Sequence, residues 1–139
     1  MDANFILAHT YLGMAYLQKS MYKEAIAEFE RELAISPGYT EALSWLAYAN
    51  AVAGRRAEAQ KELDKLNELA KQKYVPAPRI ARIYAGLGEK DKAIEWLEIG
   101  YAEHSIGGAF ANIKLDPAYN SMRSDPRFAD LLRRMHLQP

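Results

Sequence analysis

The chain has 139 residues, 18 basic and 18 acidic side chains, and no cysteine; half of its residues are hydrophobic. That length suffices for one domain with a real core, and the balanced charge gives no electrostatic case for nucleic acid or an anionic membrane. Disulfides, thiol catalysis and cysteine-ligated zinc are excluded by composition, and a cytoplasmic location is expected. Residues 1–4 lack the basic run and apolar stretch of a secretory leader, so none is expected. No run of about 18 apolar residues occurs, so no membrane span is expected.

Asp2 is placed to cap a first helix over residues 5–17, where Leu7, Tyr11, Met14, Leu12 and Tyr16 recur at helical spacing on more than one face. Lys19-Ser20 breaks it. A second helix over 22–35 buries Ala25, Ile26, Phe29 and Leu33, and Ser36-Pro37-Gly38 ends it. A third spans 39–53 and stops at Gly54, which accepts a left-handed backbone. The fourth, 56–72, carries Ala59, Leu63, Leu66 and Leu69. After the extended stretch 74–78, a fifth helix tolerates proline in its first turn and runs to Leu87. Gly88 stops it, and a sixth occupies 90–103. Ser105-Ile106-Gly107-Gly108 reads as flexible. Asp116-Pro117 and Ser124-Asp125-Pro126 each read as an N-cap followed by proline. The second opens a helix with Phe128, Leu131, Leu132 and Met135 as its apolar stripe, expected to cover the last hairpin.

These elements repeat. A step of 34 residues aligns Ala25 with Ala59 and Ala93, Leu12 with Leu46 and Ile80, Gly13 with Ala47 and Ala81, Phe29 with Leu63 and Leu97, and Ser20 with Gly54 and Gly88. Antiparallel helices joined by short turns need small residues where backbones approach and large ones a turn away. Burying each large side chain contributes roughly 1.5–3 kcal/mol. One hairpin leaves an apolar face open, so stacking supplies the remaining stability.

On these residues the chain resembles a tetratricopeptide (TPR) repeat protein. Leu12-Gly13, Tyr16, Ala25, Phe29 and Pro37 stand where the family pattern has them. His9 departs from it in the place of an aromatic residue, Glu32 in the place of a small one, and Asn50 in the place of Tyr in the second repeat. The fold implied is all-α: a right-handed α–α superhelix of three helical hairpins (about 5–37, 39–73 and 76–104), with 105–139 as a short helical C-terminal cap. The tail, from Leu115-Asp116-Pro117 through Arg123-Ser124-Asp125-Pro126-Arg127-Phe128, is similar to the C-termini of bacterial multidomain regulators, kinases and cyclases. The chain is therefore expected to be a piece of a larger bacterial regulatory protein.

The resemblance also implies a site. In such arrays the first helix of each hairpin lines a concave groove, which points to Leu7, Thr10, Tyr11, Met14 and Leu17, then Ser44, Trp45 and Tyr48, then Arg79 and Arg82 as partner-binding residues. The groove would be aromatic at one end and cationic at the other, suited to a peptide or partner domain with apolar anchors and an acidic group. Packing between hairpins is an equal use for Tyr11, Met14 and Trp45, and Arg79 and Arg82 could equally be solvated charges. Self-association as a homodimer through Phe5, Tyr22 and the first helix is the alternative function.

No catalytic, metal or cofactor site is expected. His9, His104 and His136 are scattered, and no serine lies in a nucleophile elbow. Gly86-Leu87-Gly88-Glu89-Lys90 coincides with a repeat turn rather than a phosphate loop. Glu24, Glu28 and Glu32 read as a solvated carboxylate row on an exposed helix face.

Overall fold

A computed structural model describes residues 3–102 and 117–135, with side chains from residue 8 onward. The expected Asp2 cap, the side chains of Phe5 and Leu7, the flexible segment 105–108, Asp116, His104 and His136 lie outside the described residues. The described elements are all helical: α1 (Ala3–Gln18), α2 (Tyr22–Ile35), α3 (Thr40–Val52), α4 (Arg56–Ala70), α5 (Ala77–Gly86), α6 (Lys90–Ala102), a 3₁₀ turn (Pro117–Met122) and α7 (Pro126–Arg134). They fall into two compact units divided between Tyr74 and Val75.

The turns α1–α2, α3–α4 and α5–α6 are built alike. Ser20, Gly54 and Gly88 adopt positive φ angles of 59°, 83° and 79°. Beyond each, an amide closes back on the last helical turn: Met21 onto the Tyr16 carbonyl at 2.9 Å, Arg55 onto Asn50 at 2.8 Å, Glu89 onto Tyr84 at 2.9 Å. These six-to-one bonds satisfy carbonyls that a helix end otherwise leaves open. Four residues further on, Ala25, Ala59 and Ala93 are each completely buried. The repeat read from the sequence is therefore a repeat of hydrogen bonds and of burial.

The first unit packs α1 against α2, α2 against α3, and α3 against α4. Its core around α2 joins Ala25, Ile26 and Phe29 to Trp45, Leu46 and Ala49, with Met14, Tyr16, Leu17, Leu33 and Tyr48 at the margin. Gly13 is required where α1 crosses α2. A Cβ there would stand 2.5 Å from Phe29 Cε1 and 2.6 Å from Cζ. Alanine occupies the equivalent positions 47 and 81, where the large partner in register is Leu63 or Leu97 instead of phenylalanine. At the far end of the unit, Lys73 Nζ donates to the Gly38 carbonyl at 2.6 Å, tying the end of α4 to the α2–α3 loop.

In the second unit, Ala81, Ala85, Ala93, Ile94 and Leu97 of the α5–α6 hairpin share one core with Tyr119, Met122, Phe128, Leu131 and Leu132. The buried Tyr119 hydroxyl donates to the Pro78 carbonyl at 3.1 Å, and its ring stacks on Phe128 at 5.8 Å. Asp125 caps α7 by accepting from the Arg127 amide at 2.9 Å, and the Arg127 side chain holds the Asp125 carboxyl down to about 2. Arg127 reaches Asp91 at 2.8 Å, while Arg134 pairs with Glu98 and lies over the Tyr101 ring. Both contacts latch α7 onto α6.

Candidate partner-binding site

The carboxylate row on α2 is not solvated as expected. Glu24 is exposed, but Glu28 and Glu32 are buried. Four-residue spacing drifts by about 40° per step around a helix, and α2 is flanked by both α1 and α3, so the row turns under its neighbours. Glu28 accepts from His9 Nδ1 of α1 at 2.6 Å and from the Arg31 guanidinium on its other oxygen. The Thr10 hydroxyl donates to Glu32 Oε1. Glu32 Oε2 has no hydrogen-bond partner among the described residues.

Burial pushes the Glu32 carboxyl above its ordinary range. The Thr10 hydrogen bond and His9 oppose that shift, whereas Glu41 on α3 adds to it. Two departures from the repeat pattern, His9 and Glu32, thus meet in one polar layer between α1 and α2. A charge-assisted bond ties His9 to Glu28 across that interface, and Arg31 pairs with Glu28 from within α2. Among the described residues no group of three or more His, Asp or Glu side chains is placed to hold a metal ion.

Around this layer the expected binding residues separate into classes. Thr10, Ser44 and Trp45 are buried in the first unit. Trp45 stacks on Phe29 at 6.3 Å and meets the Tyr48 ring edge-on at 5.8 Å, so it is part of the α2–α3 core. Met14, Leu17 and Tyr48 are half-buried at the margin of that core. Tyr11 is largely exposed. On α1, Thr10, Met14 and Leu17 lie at i, i+4 and i+7 and share one face; Tyr11 lies with Ala8, Leu12 and Ala15 on another. The second unit holds Arg79, half-buried in the first turn of α5, and Arg82, buried one turn later. The Leu7 side chain lies outside the described residues.

The sequence reading missed the burial of Glu28 and Glu32. The signal was present in the register: Glu32 falls in step with Leu66 and Gly100, both buried.

The matching family model is described as Tetratricopeptide repeat, and it covers residues 16–75. Residues 16–75 are thus similar to tetratricopeptide repeats. The matched span runs from the last turn of α1 through α2, α3 and α4. Tetratricopeptide repeats generally mediate protein–protein interaction and are typically non-catalytic. No curated protein and no solved structure matches the chain. No described helix is long and apolar enough to cross a membrane.

Proposed function

We propose that the chain is a protein-binding module whose first unit takes a peptide or partner segment along Met14, Leu17 and Tyr48, as part of a larger bacterial regulatory protein. The observation that carries this reading is that these three apolar side chains, Met14 and Leu17 on α1 and Tyr48 on α3, stay half-buried at the margin of the α2–α3 core. Trp45, which meets the Tyr48 ring edge-on, supplies a rigid aromatic floor there, and apolar anchors in partly desolvated pockets are where binding energy concentrates. Thr10 and Ser44 are buried polar groups of the same two helices. They act here by fixing the floor rather than by direct contact.

The test is site-specific photo-crosslinking in cells, with benzoylphenylalanine at positions 14, 17 and 48 and, as controls, at exposed positions 60 and 61 of α4. The reading expects one common protein or peptide captured from the first three positions and not from the controls. Equal capture at all five positions would sink it. Self-association is the second reading, favoured by an exposed apolar stripe on α1.

A further inference from the structure

Ala8, Tyr11, Leu12 and Ala15 are all exposed on α1. One repeat later their counterparts Ala42, Trp45, Leu46 and Ala49 are all buried. Tyr11 and Leu12 are 65% and 43% exposed; Trp45 and Leu46 are 5% each. On α3, Trp45, Leu46 and Ala49 join a core with Ala25, Ile26 and Phe29 of α2. The first helix therefore carries a second edition of a surface that is made to be covered by another helix.

We propose that this stripe pairs with the same stripe of a second copy, α1 against α1 in antiparallel, a reading that rests on self-association and specifies its geometry. Three observations select the occupant. The stripe reads small, large, large, small at positions 8, 11, 12 and 15, and so is palindromic about the midpoint between Tyr11 and Leu12. A two-fold axis there sets Ala8 against Ala15 of the other copy and Tyr11 against Leu12, with small residues at both ends to let the backbones approach. Second, Ala3–Gln18 contains no Asp, Glu, Lys or Arg, so like copies meet without charge repulsion and nothing selects a charged partner. Third, the other large exposed apolar residues among those described are Met21 and Tyr74, both in the first unit. In the second unit the 3₁₀ turn and α7 already cover their side of the α5–α6 hairpin. The described surface thus offers α1 no other apolar stripe of this length.

The chain has no native cysteine, which gives a clean geometric test. In the proposed pair, position 8 of one copy faces position 15 of the other. Two copies of position 8 lie seven residues apart along the axis, about 10 Å, beyond the roughly 7 Å that a disulfide can bridge. Mixing the Ala8→Cys and Ala15→Cys proteins under oxidation should give dimers linked between positions 8 and 15 by peptide mapping, and either protein alone should give few. In parallel, sedimentation velocity of the full chain over a dilution series should show a dimer that dissociates on dilution, since one helix face per copy is a small contact. Leu12→Glu should be monomeric throughout, with an unchanged helical spectrum and, at dilutions where the wild type has dissociated, the same melt.

A wild-type chain that is monomeric at every concentration overturns both self-association and this pairing. A dimer that survives Leu12→Glu, or one whose mixed cysteine proteins link no better than the separate ones, overturns the pairing while leaving self-association in place. The cysteine experiment stands even if Leu12→Glu fails to fold, because both cysteines replace exposed alanines.

Discussion

Replacing Gly13 with alanine should destabilise the first unit, although the same change at an ordinary helical site helps. The helix-propensity gain of Gly→Ala is about 1 kcal/mol. Against it, the new Cβ lies 2.5 Å and 2.6 Å from two atoms of the Phe29 ring. That ring is completely buried and backed by Trp45, so it cannot move aside freely. Overpacking of this kind typically costs ~1–3 kcal/mol, and the net expectation is a loss of up to about 2 kcal/mol. The register supplies the compensating change. Positions 47/63 and 81/97 pair alanine with leucine, so Phe29→Leu should rescue Gly13→Ala. Phe29→Leu alone leaves space where the ring was, at a cost below the ~3–5 kcal/mol of Phe→Ala; the methyl introduced at position 13 then occupies part of it. Urea denaturation of the wild type, both single variants and the double variant should give a favourable coupling of about 1–3 kcal/mol. Additivity within about 0.5 kcal/mol would refute the proposed volume exchange between α1 and α2.

Ser20 holds a positive φ of 59° that its counterparts assign to glycine, so Ser20→Gly should stabilise the chain by about 1 kcal/mol, read from the urea midpoint; no gain would mean that the turn is not strained. The Glu32 carboxyl is raised by burial, so its contribution is most favourable below the ordinary carboxylate range and is lost as pH rises through the raised value. His9 from α1, Glu41 from α3 and the Thr10 hydroxyl face the same group. Melting temperature should therefore fall from mildly acidic to neutral pH more steeply in the wild type than in Glu32→Gln, and parallel profiles would contradict the assignment. Phe128→Ala should cost ~3–5 kcal/mol in a melt that follows the second unit, because Phe128 fills the core shared by α5, α6 and α7; a change under about 1 kcal/mol would remove α7 from that core.

Periodicity made the hairpins legible. Small residues at 13, 25, 47, 59, 81 and 93 recur because close helix crossings admit nothing larger, and turn residues at 20, 54 and 88 recur because each chain reversal needs a left-handed backbone. Asp125-Pro126 was legible for a local reason: the cap bonds its own neighbour two residues on. What a single helix cannot reveal is which of its faces acquires a neighbour. The carboxylates at 24, 28 and 32 look alike along α2, yet only Glu24 stays outside. Tyr11 and Trp45 occupy the same register position, but Trp45 has α2 beside it and Tyr11 remains exposed. Expected binding residues therefore divided by tertiary context rather than by residue type.

The central claim is that one helical hairpin is built three times, with the turn and its closing bond doing the same physical work in each. Amide hydrogen exchange followed by NMR tests it at the three closing bonds, Met21 to Tyr16, Arg55 to Asn50 and Glu89 to Tyr84. Slow exchange is expected at all three amides, together with left-handed backbone shifts at Ser20, Gly54 and Gly88. Free exchange at any one of them, with its turn residue in a right-handed conformation, would contradict the repeat.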